Sequence, residues 1–256
     1  RMTCTGWLLQ NAFGGTVTSA TATGETLGAA ANSAITHTFL VGGMDNSYPS
    51  LCMNTRKGAT TTGRIWQYAG VRIDELTFSA EIDEPLKCSI SLIARDATQV
   101  TNDISAALTQ TTANPLSFVN GRFSIEATSG SLTSSAFWHV QNIEFSMKNN
   151  LKEGPEARRI GAAILQVLPV GNLDLELKAT IRFDTTTAYD AMIAATRYYG
   201  EFQFQGDTFA SSAIREGIRM IFHKLYIRDA GDPEISGPNE VLQSEVVFNV
   251  VRDDAS

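Results

Sequence analysis

The run from Asn172 to Phe183 restricts what this chain can fold into more than any other stretch. Leu173, Leu175, Leu177, Ala179, Ile181 and Phe183 alternate there with Asn172, Asp174, Glu176, Lys178, Thr180 and Arg182. A period of two puts each set on its own side of an extended backbone, which makes this a long strand with one apolar and one charged face. Such a strand suits a sheet with one side packed on a core and the other turned to water or to another protein. Composition agrees. With 43% hydrophobic residues in 256, the chain can bury one large core or two small ones. Its abundant Ser, Thr, Val, Ile and Gly, punctuated by turn residues, read as mainly β.

In chain order, Thr5 to Phe13 has apolar residues at 8, 9, 12 and 13 and meets Gly14-Gly15, which predicts a short helix with a glycine stop. Residues 16–34 are small and without period, and read as extended or irregular, part of an N-terminal arm (about 1–35) that a neighbour orders. A strand follows over Thr36–Val41. Gly42 to Gly63, with the basic pair Arg56-Lys57, is longer than an ordinary connection and reads as a loop insertion. Val71 and Ile73 share one phase while Leu76, Phe78, Ala80 and Ile82 share the other, so a bulge is expected at Asp74-Glu75.

After the turn Asp83-Glu84-Pro85, Leu86, Cys88, Ile90, Leu92 and Ala94 alternate again. The hairpin so formed has a polar face of Thr77, Ser79, Glu81, Lys87, Ser89 and Ser91. Residues 96–114 are polar and weakly helical. Strands are expected at Arg122–Ala127 and Trp138–Met147, a helix over Thr187–Tyr199, and a strand at Glu201–Gln205. Another runs through Ile218, Met220 and Phe222, shifting phase at His223-Lys224 into Leu225 and Ile227, and the last covers Val241–Val251. This is one domain with insertions, or two halves around residue 115.

Several function classes find no support. A net charge of −7 argues against gripping nucleic acid, which needs clustered Lys and Arg, although an acidic protein can act as a conduit by repelling it. Cysteines 4, 52 and 88 are too few for a metal knuckle or disulfide scaffold and read as reduced and mostly buried. There is no HExxH, CxxC, GxSxG, Walker A or strand-to-helix GxGxxG, and His37, His139 and His223 lie far apart in predicted strands. Asp74-Glu75, Asp83-Glu84 and Asp253-Asp254 are adjacent pairs whose members on a strand point to opposite faces, unlike the facing carboxylates of a glycosidase. No enzyme and no cofactor or metal are therefore expected. The longest uncharged apolar stretch, Ile160–Leu173, contains Pro169 and Gly171 and is too short to span a bilayer. The chain opens on Arg1 and shows no signal-peptide h-region, which leaves upstream residues cleaved, disordered or outside the numbering.

One block carries a resemblance. Ile143, Phe145 and Met147 form a strand that ends at Asn149-Asn150. The charged connection Glu153-Gly154-Pro155-Glu156-Ala157-Arg158-Arg159-Ile160-Gly161 follows, then the long amphipathic strand and the Thr187–Tyr199 helix. With Gly70 ahead of the GVRIDELTFSAEIDEPLKCSISLIAR hairpin and the closing GDPEISGPNEVLQSEVVFNV, this order resembles the tail tube (major tail) proteins of long-tailed bacteriophages. The resemblance implies a β-sandwich or barrel-like tail tube fold with a short flanking α-helix and long loops. It also implies a structural virion protein whose homo-oligomeric rings, commonly hexameric, stack into a hollow tail tube that passes DNA to the host without binding it specifically.

Assembly in the host cytoplasm, no membrane anchor, and a tape measure protein with tail terminator or baseplate proteins as partners go with that family. Lumen-facing candidates are Thr77, Ser79, Glu81, Asp174, Glu176 and Lys178; an acidic bore would repel passing DNA. Inter-subunit candidates are Arg56, Lys57, Glu153, Glu156, Arg158 and Arg159. The alternatives are a tube protein of a contractile injection or secretion machine, a β-sandwich carbohydrate-binding module with Trp66 or Trp138 as an exposed platform, and a hydrolase with a concave carboxylate site.

Overall fold

The computed structural model describes residues 4–21, 35–42, 49–58, 64–100, 114–127, 132, 140–182, 190, 193–208, 215–231 and 243–251. The protein is mainly β. Its elements are α1 (Cys4–Phe13), β1 (Gly14–Thr21), β2 (Ile35–Val41), β3 (Leu51–Lys57), β4 (Arg64–Glu81), β5 (Lys87–Ile93) and β6 (Asp96–Val100). They continue with β7 (Gly121–Glu126), β8 (Val140–Lys148), β9 (Asp174–Arg182), β10 (Arg197–Thr208), β11 (Arg215–Ala230) and β12 (Gln243–Val250). Two compact units result, neither of them a continuous stretch: Arg1–Leu76, Ile90–Ala113 and Lys148–Asp174 form one, and Thr77–Ser89, Asn114–Met147 and Leu175–Ser256 the other.

In the first unit, α1 ends where expected, because Gly14 takes φ +65, a conformation open to glycine. Residues 14–21, read as part of an arm, pair antiparallel with β2 of the same chain, Val17 opposite Phe39 and Ser19 opposite His37. Residues 22–34 lie outside the described residues. β4 has β3 along one edge and β6 along the other, with Ile65 opposite both Arg56 and Val100. Two expectations are corrected here. Residues 51–57 are a strand rather than loop insertion, and 96–100 a strand rather than weak helix. Both are short and polar, so pairing to β4 decides what propensity does not.

The phase slip within β4 is present. Val71 and Ile73 are buried, and so are Leu76, Phe78 and Ala80, with the change of phase between 73 and 76. Ile82 is instead 46% exposed in the turn. Its neighbour Asp83 stands at φ +64, a left-handed conformation that Asp tolerates better than most residues. Gly70 lies inside β4 rather than ahead of it. It adopts φ +63, and an added Cβ would meet the Arg95 Cδ at 2.8 Å.

Two asparagines account for the slip. Asn11 Oδ1 accepts from Ile73 N–H at 3.0 Å, and Asn149 Nδ2 donates to Ile73 O at 2.9 Å and to Ala12 O at 3.1 Å. Asn149 N–H donates to Asp74 O at 2.7 Å. Side chains thus take over the backbone groups that a bulge withdraws from the ladder, and each such group would otherwise be buried unpaired. Asp74 in turn accepts from Leu151 N–H at 2.7 Å. This bond holds the chain where β8 breaks, with Asn150 at φ +48.

In the second unit the strand order is β8-β9-β12-β11-β10-β7. Of the apolar row expected over 173–183, Leu177, Ala179 and Ile181 are buried in β9 and lie opposite Phe248, Val246 and Ser244 of β12, Leu173 precedes the strand, Leu175 is half-buried, and Phe183 lies outside the described residues. Phe145 of β8 sits 5.4 Å from Phe222 of β11, and Phe123 of β7 sits 6.3 Å from Phe248 of β12. Each pair bridges strands three places apart, which in a flat sheet would be about 14 Å. The sheet of this unit therefore curls around its apolar face, and its polar face is convex.

The expected helix over 187–199 is shorter. Ala194 N–H bonds Asp190 O in the helical i to i+4 manner, Ala195 turns at φ +48, and Tyr198 and Tyr199 belong to β10. Residues 183–189, 191 and 192 lie outside the described residues. Around His223-Lys224 the phase changes as expected, because the register of β10 against β11 shifts between Tyr198 and Gly200.

Candidate assembly surfaces

Antiparallel partners directly opposite one another share a face, so the register fixes what the convex side carries. Glu176, Lys178 and Thr180 of β9 stand opposite Asn249, Val247 and Glu245 of β12. Tyr226 of β11 stands opposite Asn249 and Arg197. Glu201 and Gln203 of β10 stand opposite Ile221 and Arg219 of β11 on one side, and opposite Ser124 and Arg122 of β7 on the other. A band of mostly polar side chains thus runs across the sheet from β9 to β7.

The band is held by ion pairs. Glu176 meets Lys178 at 3.2 Å and Arg228, reaching across β12, at 2.6 Å. Burial pushes the Glu176 carboxyl up, but the hydrogen bonds and charges of Lys178 and Arg228 outweigh it and hold the group below its ordinary range. Glu201 is fully buried and is gripped by Arg122 at 2.9 Å and Arg219 at 2.6 Å, one from each flanking strand. Here too burial alone would raise the carboxyl, and the two arginines leave it lowered. At the end of β10, Arg197 lies 4.9 Å over the Tyr199 ring and donates to His223 O at 3.2 Å.

Of the predicted lumen residues, Glu176 and Lys178 are brought together. Lys178 is the positive member of a charge-compensated cluster, so this part of the face is not acidic. Asp174 is exposed and accepts from Asn150 Nδ2 at 2.8 Å. Thr77 and Ser79 are half-buried on β4, and Glu81 is exposed at its end. Of the predicted contact residues, Arg56 and Lys57 sit in β3 opposite Ile65 and Arg64. Glu153, Glu156, Arg158 and Arg159 are exposed around a 3-10 turn at Pro155–Ala157.

Cys52 and Cys88, expected to be buried, are exposed free thiols; a strand face that is wet leaves even an apolar-looking position in water. Trp66 is half-buried in β4 rather than an open platform, and Trp138 and His139 lie outside the described residues. Among the described residues no group of three or more His, Cys, Asp or Glu is placed to hold a metal, and no helix is long and apolar enough to cross a membrane.

Sequence reasoning missed Glu201, Arg122, Arg219 and Arg228. The EFQFQ alternation predicts only a strand at Glu201–Gln205, and it is the register that reveals cations from two neighbouring strands enclosing Glu201. The buried role of Asn149 was missed too, although its position at the strand break was marked.

The chain is strand-rich, with a curled sheet and a polar convex face in its second unit and charged exposed turns. A family model described as phage tail tube protein matches residues 1–249, essentially the whole length, and the chain belongs to that family. Among curated proteins, none matches it.

Proposed function

We propose that this structural protein of the phage tail assembles with copies of itself into rings, commonly hexameric, that stack into a hollow tube through which DNA passes to the host. The family match supports the tube, and the observation that carries the further reading is the polar band of the curled sheet. A single chain gives that side, with its buried Glu201 and its paired Glu176, an ordered surface wider than solubility needs. Thr77, Ser79, Glu81, Asp174, Glu176 and Lys178 are the proposed bore-facing residues. Arg56, Lys57, Glu153, Glu156, Arg158 and Arg159 are the proposed contacts between copies. Because Glu176 is matched by Lys178 and Arg228, passage without sticking would rest on local charge compensation together with the net −7 of each copy.

A tape measure protein and tail terminator or baseplate proteins are the proposed partners, with assembly in the host cytoplasm. Closing the sheets of neighbouring copies into a ring would also cover strand edges that a lone chain leaves open. Electron micrographs of the concentrated protein test this: stacked rings or hollow tubes are expected, and a chain that stays monomeric at every concentration would defeat it.

A further inference from the structure

Two surface features are each unfinished in a single chain. In the first unit, residues 157–166 close into a built turn: Gln166 N–H donates to Ala157 O at 2.9 Å and Ala162 N–H to Arg159 O at 3.1 Å. Arg95 fastens it, its Nε donating to Leu165 O at 3.0 Å. This fixed turn holds Ile160 wholly in water, at 103% exposure, with Ile164 at 40% and Val167 at 45%. Beside it is an open groove of about 340 Å³ lined by Tyr68, Ala97 and Ile164, by Arg95 and Arg158, and by one carboxylate, Asp96, whose Oδ1 accepts from Ala97 N–H at 2.8 Å. An open groove of that size can take an aliphatic side chain. Arg159 is exposed next to Arg158.

The second feature belongs to the other unit. The turn between β4 and β5 presents Ile82, 46% exposed, between Glu81 and Asp83-Glu84. Glu84 N–H closes the turn on Glu81 O at 3.1 Å, and Leu86 N–H is fixed on Leu116 O at 2.8 Å. It too is held with its aliphatic side chain outward. Glu84 also pairs with Lys87 of its own chain.

We propose that the Ile82 turn of one copy docks into the Arg158 groove of the next, Ile82 against Ile160 and Ile164, and Asp83 and Glu84 against Arg158 and Arg159. On a chain of net charge −7, a groove where Arg95 and Arg158 outnumber the lone Asp96, with Arg159 beside it, is the exception, and an aliphatic tip flanked by carboxylates is its complement in sign. The contact uses two different surfaces of one polypeptide, so it repeats head to tail and builds rings or an axial stack, where a self-complementary patch would stop at a dimer. It rests on the reading that copies of the chain assemble.

The test compares assembly of the full chain, by sedimentation and electron microscopy, with four variants. Arg158→Glu with Arg159→Glu reverses the groove. Asp83→Asn, tolerated at positive φ, with Glu84→Lys reverses the turn. The quadruple variant restores the match. Ile160→Ser removes an apolar group that is fully exposed in one chain, so its effect on the fold should be small. Each double variant should raise the concentration at which assemblies appear at least about tenfold, since apposed like charges are strongly unfavourable. Ile160→Ser should raise it about threefold or more, and the quadruple variant should return to within about threefold of the original. Normal assembly of either double variant or of Ile160→Ser overturns the proposal. So does a folded quadruple variant that stays unassembled. If the unaltered chain never assembles, both this contact and the tube reading fall, an outcome distinct from assembly that ignores these residues.

Discussion

Glu201 is the charged residue that the fold has taken wholly out of water among the described residues, and it keeps its charge only because Arg122 and Arg219 reach it from both sides. Its folded-state carboxyl is lowered, so its stabilisation is complete above the ordinary value of 4.5 and is lost as pH falls through the lowered value. Glu201→Gln should therefore cost about 2 kcal/mol at neutral pH, where charged hydrogen bonds are lost. It should also unfold with a shallower dependence on pH below about 4.5 than the original chain; parallel acid melts would contradict this. Asn149 makes a different kind of demand, because both of its amide hydrogens go to buried carbonyls, Ala12 O and Ile73 O. Asn149→Ala leaves those two oxygens unpaired and should cost about 2–4 kcal/mol in urea unfolding. Asn149→Asp should be worse still at neutral pH, since a carboxylate offers no hydrogen to either.

At the scale of elements, β10 and β11 turn on one small residue. A Cβ at Gly200 would run into the Leu225 side chain, at the place where the register skips past His223-Lys224. Gly200→Val should cost about 1–3 kcal/mol through overpacking, measurable as a lowered unfolding midpoint, while Gly161→Ala, with open space around it, should act only through its φ of +86. Much of this architecture was legible in the residues themselves. The alternations of β8, β9 and β12 and the phase slip of β4 are written in apolar spacing, and so is the glycine stop of α1. What was not legible depends on partners distant in sequence. β3 and β6 are too polar to announce themselves and become strands by pairing with β4. Tyr198 and Tyr199 fit a helix until β7 and β11 claim them. The candidate site divides the same way: the wet row Glu176–Lys178 could be read from its period, whereas the cations that neutralise it, and the burial of Glu201, come from register across strands.

In the second unit, apolar groups are enclosed by curling its sheet, and polar order is left on the convex side. Ion pairs at an exposed surface contribute little to a monomer's stability, on the order of 0–1 kcal/mol each. The proposed role gives such a face a use, as the surface that other copies or passing DNA would meet. Arg228→Ala illustrates the difference: it should shift the melting temperature of the free chain only slightly, yet change how an assembled tube holds or releases DNA in added salt. The most direct measurement is a three-dimensional electron-microscopy map of the assembled protein at side-chain detail. The account predicts a hollow bore bordered by the polar strand faces around Thr77, Ser79, Glu176 and Lys178. A tube whose bore is lined by other surfaces, with those faces turned outward to solvent, would contradict it.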